Sequence, residues 1–306
     1  MRIAHISDLH LSIKYRPWSY SAIKKLLRVI VEAKVDHLVI TGDLTDNAEE
    51  HDFITFRNLL KTFGLLDSSR TSIVIGNHDI FGGPQTAQDI FTFPTRCANT
   101  DYEEKIRKFS QYFFELFENC YLPLEGKVFP FVKELEGHVL IGINTIDEYS
   151  RLRNPFASNG HISKEEKAGL AEIFKKFAAK KKIILAHHHF YKNRIPSKSS
   201  EIGLWNRIEN FTMKLRGKKK ILKSFVENKV EMILHGHSHE MNEYYRKGIR
   251  VLNAGGTFDQ EEKKIMKLFL IDILPFDTDT TLETIPFELT LPQVDFSSQL
   301  IETLAG

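Results

Sequence analysis

The stretch Ser72-Ile73-Val74-Ile75-Gly76-Asn77-His78-Asp79 decides how the chain is read. An apolar run of strand length gives way at a glycine to three consecutive polar side chains able to bind cations or move protons. The same form occurs twice upstream. Ile3–Ile6 is a strand followed by Ser7-Asp8-Leu9-His10, and His37–Thr41 is a near-continuous apolar strand followed by Gly42-Asp43. Between them, Ile23, Leu26, Leu27, Ile30 and Val31 recur at helical spacing over Ser19–Glu32, and a second helix covers about Glu49–Phe63. Strand, helix, strand, helix, strand at this spacing gives parallel strands with crossover helices. Such sheets bind ligands beyond the carboxyl ends of their strands, where all three polar motifs fall.

Further along, the pattern changes and then returns. Gly82-Gly83-Pro84 and Phe93-Pro94 read as turns, and about Asp101–Asn119 reads as a helix. Ile106, Phe109, Phe113 and Leu116 form its stripe, which Tyr112, Phe114 and Phe117 widen beyond one face. Val128–Leu135 and His138–Asn144 are expected to be an antiparallel pair about Glu136-Gly137. Ser163-Lys164-Glu165-Glu166 is a capping box opening a helix to about Ala179. Strand Lys182–Ala186 delivers His187-His188-His189, and after a helix at about Lys218–Asn228, strand Val230–Leu234 delivers His235-Gly236-His237-Ser238-His239. Glu243–Tyr245, Gly248–Asn253 and Lys264–Ile273 read as strands at a sheet edge, and the last 30 residues as an extended wrap or tail.

Composition sets the outer bounds. The 306 residues are 42% hydrophobic and 27% charged, a globular balance with ample core. Cys97 and Cys120 are too few for a disulfide framework or a thiolate zinc site, which favours a reducing compartment. Residues 1–31 lack the pattern of a secretory signal, and no run of 18 apolar residues exists, so a cytoplasmic protein is expected. The net charge of +2 hides a local imbalance: residues 180–229 hold 14 Lys and Arg against 3 Glu. An anionic substrate, or the inner face of a membrane, suits that segment.

Asp8, His10, Asp43, Asn77, His78, His187, His237 and His239 all follow strand ends closely. Carboxylate, imidazole and amide oxygen together suit divalent Mn²⁺, Fe²⁺, Zn²⁺ or Co²⁺. These side chains are too many for one ion and suit two, provided a carboxylate bridges them.

In these motifs, Asp8-Leu9-His10, Gly42-Asp43, Gly76-Asn77-His78-Asp79, His187 and Gly236-His237-Ser238-His239, the chain resembles the calcineurin-like metallophosphoesterase superfamily over about residues 1–260. The resemblance implies a four-layer α/β/β/α sandwich of two mixed sheets flanked by helices. The catalytic domain would span 1–274, with a helical insertion at about 80–127 and a basic loop region at about 190–217, followed by an extension over 275–306. Residue by residue, it places Asp8, His10 and His239 on one metal, Asn77, His187 and His237 on the other, and Asp43 between them. Two ions, manganese or iron with zinc or cobalt as substitutes, would carry a bridging hydroxide. His78 would face the substrate, with Asp79 orienting it. His188, Asn144 and His161 are supporting or substrate-facing candidates, as are Lys192, Arg194 and Lys198 of the basic segment. Asp46 reads as a solvated turn residue, or else as a group supporting the ligands, and Arg16 as a solvated loop cation, or else as a substrate contact. His189 and Phe190 stand where related sequences carry prolines.

The implied activity is hydrolysis of a small-molecule or lipid-linked phosphate ester, foremost a phosphodiester. A pyrophosphohydrolase of the UDP-2,3-diacylglucosamine type, an Mre11-like DNA nuclease and a non-catalytic scaffold are the rivals. The nuclease type usually carries a further DNA-capping domain, and no aromatic–basic alternation suggests base stacking here. Scaffold relatives lose ligands that this chain retains. The aromatic helix at 101–119 reads either as packed internally or, with the basic segment, as a wall of the substrate cleft, one wall aromatic and the other cationic. The basic segment alternatively serves only solubility.

Overall fold

The computed structural model describes residues 1–135, 137–191, 213–258, 265–273 and 278–286. Two sheets carry the chain. The first has the order β11-β10-β1-β2-β3, built from β1 (Arg2–Ile6), β2 (His37–Ile40), β3 (Thr71–Ile73), β10 (Ile265–Ile273) and β11 (Thr278–Pro286). The second has the order β4-β5-β6-β7-β9-β8, from β4 (Phe131–Glu134), β5 (His138–Gly142), β6 (Lys181–Leu185), β7 (Val230–His235), β8 (Met241–Arg246) and β9 (Ile249–Ala254). β1, β2 and β3 are parallel, as are β5, β6, β7 and β9, while β4, β8, β10 and β11 run antiparallel to their neighbours. Both sheets are therefore mixed. The C-terminal extension contributes β11 as an edge strand paired with β10 along its whole length.

Alternation along the second sheet shows why the strands read as unbroken apolar runs. Leu140, Ile183, Leu185, Met232 and Leu234 face the first sheet and join one core. Val139, Ile141, Ile184, Ala186 and Ile233 face outward into a separate core. That outer core is closed by α5 (Lys164–Lys176) and α6 (Lys218–Glu227) through Leu170, Ile173, Phe174, Leu222 and Phe225. On the far side, α1 (Trp18–Glu32) and α2 (Glu50–Thr62) cover the first sheet with Leu26, Ile30, Phe56 and Leu60. Both faces of each sheet are buried, so period-two polarity is absent from the central strands. None of the described helices is long and apolar enough to cross a membrane.

The insertion after β3 differs from its sequence reading. Phe93-Pro94, read as a turn, lies inside α3 (Ala87–Ala98). Thr86 caps that helix, accepting from the Asp89 amide while the Asp89 carboxylate accepts from the Thr86 amide, and this reciprocal cap offsets the donor that Pro94 lacks. The single helix expected at 101–119 is α4 (Tyr102–Tyr112) followed by a short 3₁₀ helix, Phe114–Phe117. Its aromatic stripe is internal. Phe109 and Phe113 are buried against Phe53, and Phe113 also against Phe56, both of α2, so these rings do not wall a cleft.

Candidate metal centre

The carboxyl ends of β1, β2 and β3 meet those of β6 and β7, and the polar residues just past them converge there. The turns are tight enough to force unusual backbone. Asp8 (φ 56°), His10 (46°), Asp43 (50°), His237 (72°) and His239 (47°) all adopt left-handed conformations. Each is a non-glycine residue in a sparsely populated region costing on the order of 1–3 kcal/mol, and such residues cluster where function holds them. The glycines of the motifs serve close approach. A Cβ on Gly76 would lie 2.1 Å from Asp43 Oδ1, and one on Gly236 would lie 2.2 Å from Asp8 Oδ2.

Two clusters result. In the first, His239 Nε2 lies 3.3 Å from His10 Nε2 and 3.5 Å from Asp8 Oδ1, and His10 Nε2 lies 3.9 Å from Asp43 Oδ2. In the second, His187 Nε2 lies 3.0 Å from Asn77 Oδ1, 3.1 Å from His237 Nδ1 and 3.4 Å from the same Asp43 Oδ2. One carboxylate oxygen therefore belongs to both clusters, while its sister, Oδ1, accepts the His78 amide N–H at 2.8 Å. Asp8 is fixed comparably by the His237 amide N–H, 3.1 and 3.0 Å from its two oxygens.

The residues fit a pair of cations. His187 Nδ1–H donates to the Thr41 carbonyl at 2.8 Å, so its Nε2 turns a lone pair toward an amide oxygen, a carboxylate oxygen and a second imidazole nitrogen. Lone pairs converging at these distances repel unless a positive charge lies among them, and this mixture of donors suits borderline divalent metals. The proton affinities express the same crowding. Burial opposes charge on His187, yet Asp43 outweighs it and the imidazole rises to about 9. Burial raises Asp8 to about 6 against the pull of His187, and lowers His239 to about 3 with His10 contributing. Asp43 is held well below the ordinary carboxylate range because, against its burial, His187 and His78 favour the anion.

His78 lies at the edge of the first cluster, its ring 4.6 Å from that of His10. Its Nδ1–H donates to the Asp46 carbonyl at 2.9 Å, leaving Nε2 free for proton exchange. Burial lowers its pKa, while Asp43 acts in the opposite direction.

The solvated reading of Asp46 is overturned. It is fully buried, with Oδ1 3.3 Å from His10 Nδ1 and 3.6 Å from His78 Nδ1, and Oδ2 3.3 Å from Arg16 Nε. Burial disfavours its charge, but His10, His78 and Arg16 together hold its carboxyl below the ordinary value. Arg16 is accordingly an ion-pair partner rather than a solvated cation. Its only sequence signal is Asp46 three residues after Asp43.

Asp79 also differs from expectation. Instead of orienting His78, its carboxylate accepts the backbone amides of Leu44, Thr45 and Gly76 at 3.2, 2.9 and 2.9 Å, tying the loop that carries Asp43 to the loop that carries Asn77. Burial and the Asp43 charge raise it to about 7. His188 turns away from the cluster. Its Nε2–H donates to the Ser158 carbonyl and its Nδ1 accepts from the Thr145 hydroxyl, while its ring packs 4.3 Å from that of His237. Asn144 is a loop lock, donating to Tyr102 Oη at 2.9 Å and accepting the Ile146 amide. Neither Asn144 nor His161 is among the converging metal-type ligands; both line a separate cavity. Lys192, Arg194 and Lys198 lie outside the described residues.

Two mixed sheets with helices outside, and two ligand clusters sharing a carboxylate oxygen where the strand ends meet, define a metal-dependent phosphoesterase architecture. The chain belongs to the calcineurin-like phosphoesterase family, whose model matches residues 1–241, and it is a hydrolase of phosphate esters. Among solved structures it is similar to a dimetal phosphatase from Danio rerio, at 10% identity and a TM-score of 0.56, covering 94% of this chain and 99% of that one. It is also similar to the purple acid phosphatase PPD1 from yellow lupin (Lupinus luteus), at 13% identity and a TM-score of 0.53, covering 94% of this chain and 51% of that one. The chain thus spans about half the length of the lupin protein. No curated protein matches the sequence.

Proposed function

We propose that the protein is a phosphodiesterase acting on a small-molecule or lipid-linked ester. The observation that carries this reading is Asp43 Oδ2, shared between two ligand clusters with His78 alongside. Asp8, His10 and His239 would hold one divalent ion and Asn77, His187 and His237 the other, with Asp43 available to both. Manganese and iron suit this set, with zinc and cobalt able to replace them. When bound, such ions polarise phosphoryl oxygens and acidify water.

The chain's own residues do the rest. The Thr41 carbonyl and Asp46 fix the tautomers of His187 and His10, so that each presents Nε2 to the site. His78, anchored through its Nδ1–H, offers Nε2 to the site and, as the imidazolium, would give the Nε2 proton to the departing alkoxide or phenoxide oxygen. Asp79 fixes the relative position of the Asp43 and Asn77 loops. The two cysteines, neither in a disulfide, suit a reducing cytoplasmic setting.

The test is turnover with Mn²⁺ on a bis-aryl phosphodiester, an aryl phosphomonoester, cyclic nucleotides, a UDP-linked acyl sugar and single-stranded DNA. The phosphodiester should be turned over best. Preference for the monoester, or cleavage of DNA alone, overturns the phosphodiesterase reading.

A further inference from the structure

Arg16 stands one carboxylate away from two histidines of the metal centre. Its Nε is 3.3 Å from Asp46 Oδ2, and Asp46 Oδ1 is 3.3 Å from His10 Nδ1 and 3.6 Å from His78 Nδ1. Most of this assembly is sealed: Asp46 and every candidate ligand other than His239 are at most 6% exposed. Three side chains of the group reach solvent, Arg16 at 37%, His239 at 36% and His78 at 24%. All three touch one buried pair, His10 and Asp46. His239 Nε2 lies 3.3 Å from His10 Nε2, the His78 ring lies 4.6 Å from the His10 ring, and Arg16 lies against Asp46. Arg16 therefore shares the solvent-facing side of the centre with the two histidines.

Its pairing sets it apart from other arginines of the chain. An arginine fully engaged by a carboxylate makes two parallel N–H···O bonds. Arg2 does so with Asp272 at 2.9 and 3.0 Å, Arg107 with Glu104 at 2.7 and 2.6 Å, and Arg250 with Glu243 at 2.8 and 3.1 Å. Arg16 meets Asp46 through Nε, and neither of its Nη groups makes a hydrogen bond among the described residues. Asp46 also divides its charge between His10 and His78, so the guanidinium is only partly neutralised. A planar edge of N–H donors with charge to spare suits a carboxylate or a phosphate.

The backbone holds that edge in place. The loop after β1 is tied to the Asp46 loop by the Leu11 amide, which donates to the Leu44 carbonyl at 2.9 Å, and by the Asp46 amide, which donates to the Leu11 carbonyl at 3.1 Å. The Arg16 amide donates to the Ser12 carbonyl at 3.0 Å, and its own carbonyl accepts the Ser19 amide at 2.8 Å, closing a turn at the start of α1. The Ser12 amide donates to Ser19 Oγ at 3.1 Å. A cation mounted on such a turn loses less freedom on binding than one on a loose loop.

We infer that Arg16 is a substrate-binding residue: while the scissile phosphoryl group occupies the metal centre, the Nη groups hold a second anionic group of the same molecule, a carboxylate or a phosphate. The substrate class is then a phosphate ester with two separated negative groups. This inference rests on the proposed metal centre, which anchors the first group, and not on the preference for diesters.

The test is calorimetric titration of the Mn²⁺-loaded protein with pentylphosphonate, 5-phosphonopentanoate and pentane-1,5-diphosphonate, which share one anchor and differ at the far end. Wild type should bind a two-headed compound about tenfold or more tighter than pentylphosphonate, the scale of one charge-assisted hydrogen bond. The tighter of the two tells carboxylate from phosphate. Arg16→Gln should remove the advantage, and Arg16→Lys should keep part of it. Equal binding of all three by wild type overturns the inference and leaves the metal centre standing. An advantage that survives in Arg16→Gln overturns it too, as does equal weakening of all three compounds, which would show that Arg16 acts only through Asp46. Failure of wild type to bind any of them overturns the metal-centre reading along with it. Unchanged melting temperatures establish that the variants are folded, and the wild-type comparison decides without them.

Discussion

The two ligand clusters share an oxygen of Asp43 and little else. His187 and His237 sit in the interior at 0% and 2% exposure, whereas the His239 side chain is 36% exposed beside His78. The second cluster is built into the junction of the two sheets, with His187 donating to a carbonyl of the first sheet's Thr41. In the first cluster only His239 reaches solvent, Asp8 and His10 being 4% exposed. Equivalent donor chemistry in unequal solvent leads to the expectation that an ion in the second cluster would exchange more slowly than one in the first.

The strongest way to break this comparison is to remove what the clusters share. Asp43→Asn should lose turnover by about 10⁴-fold or more, since each ion contributes electrostatic stabilisation on the scale of 10²–10³. Metal analysis should show depletion of both ions, and a variant retaining two ions with wild-type turnover would show that Asp43 does not bridge. Next in size is His78→Asn, expected to lower turnover by roughly 10²–10⁴ with metal content intact. A nitrophenolate leaving group should suffer less than an alkoxide if His78 supplies the proton. Loss of metal together with activity would remove the acid role.

Smaller effects sharpen the inequality. Brief chelation should remove one equivalent of metal quickly and the second slowly, and His239→Asn should abolish only the fast phase. A single release rate for both ions would show the clusters to be equivalent. The smallest effect concerns the neutral histidines behind the inner cluster. Burial lowers His188 to about 3, with His187 adding to it, and burial lowers His235 to about 3. Unfolded histidine protonates near 6.5, so between about 6.5 and 3 the unfolded chain binds more protons and stability falls as pH drops. His235→Gln should flatten the fall in melting temperature between pH 7 and pH 5. Identical slopes would show that His235 is not held neutral.

The candidate ligands were legible because the chemistry is local: an apolar run and a donor side chain are written next to one another at the ends of β1, β2, β3, β6 and β7, with a glycine between them after β2, β3 and β7. Asp46 was not, because its burial exists only when His10, His78 and Arg16 are brought around it from separate loops. Asp79 looked like a partner for the adjacent His78, but its carboxylate turns back to amides more than thirty residues away. Within the insertion, Pro94 read as a break because the reciprocal cap of Thr86 and Asp89 lies eight residues ahead of it. The aromatic stripe of α4 was visible, but the surface it packs on was not. Periodicity marks a buried face without naming its neighbour.

The pairing of β1 with β10 has a practical consequence. The family match ends at residue 241, yet Ile3 and Ala4 are laddered to Ile271 and Leu270, on the strand that ends just before Asp8. A chain trimmed at that boundary would strip β1 of one neighbour and leave its backbone groups open along one side. Trimming only β11 would bare the nine residues of β10 instead, an apolar edge suited to intermolecular pairing and precipitation. Shortened versions intended for crystallisation should therefore keep residues through Pro286.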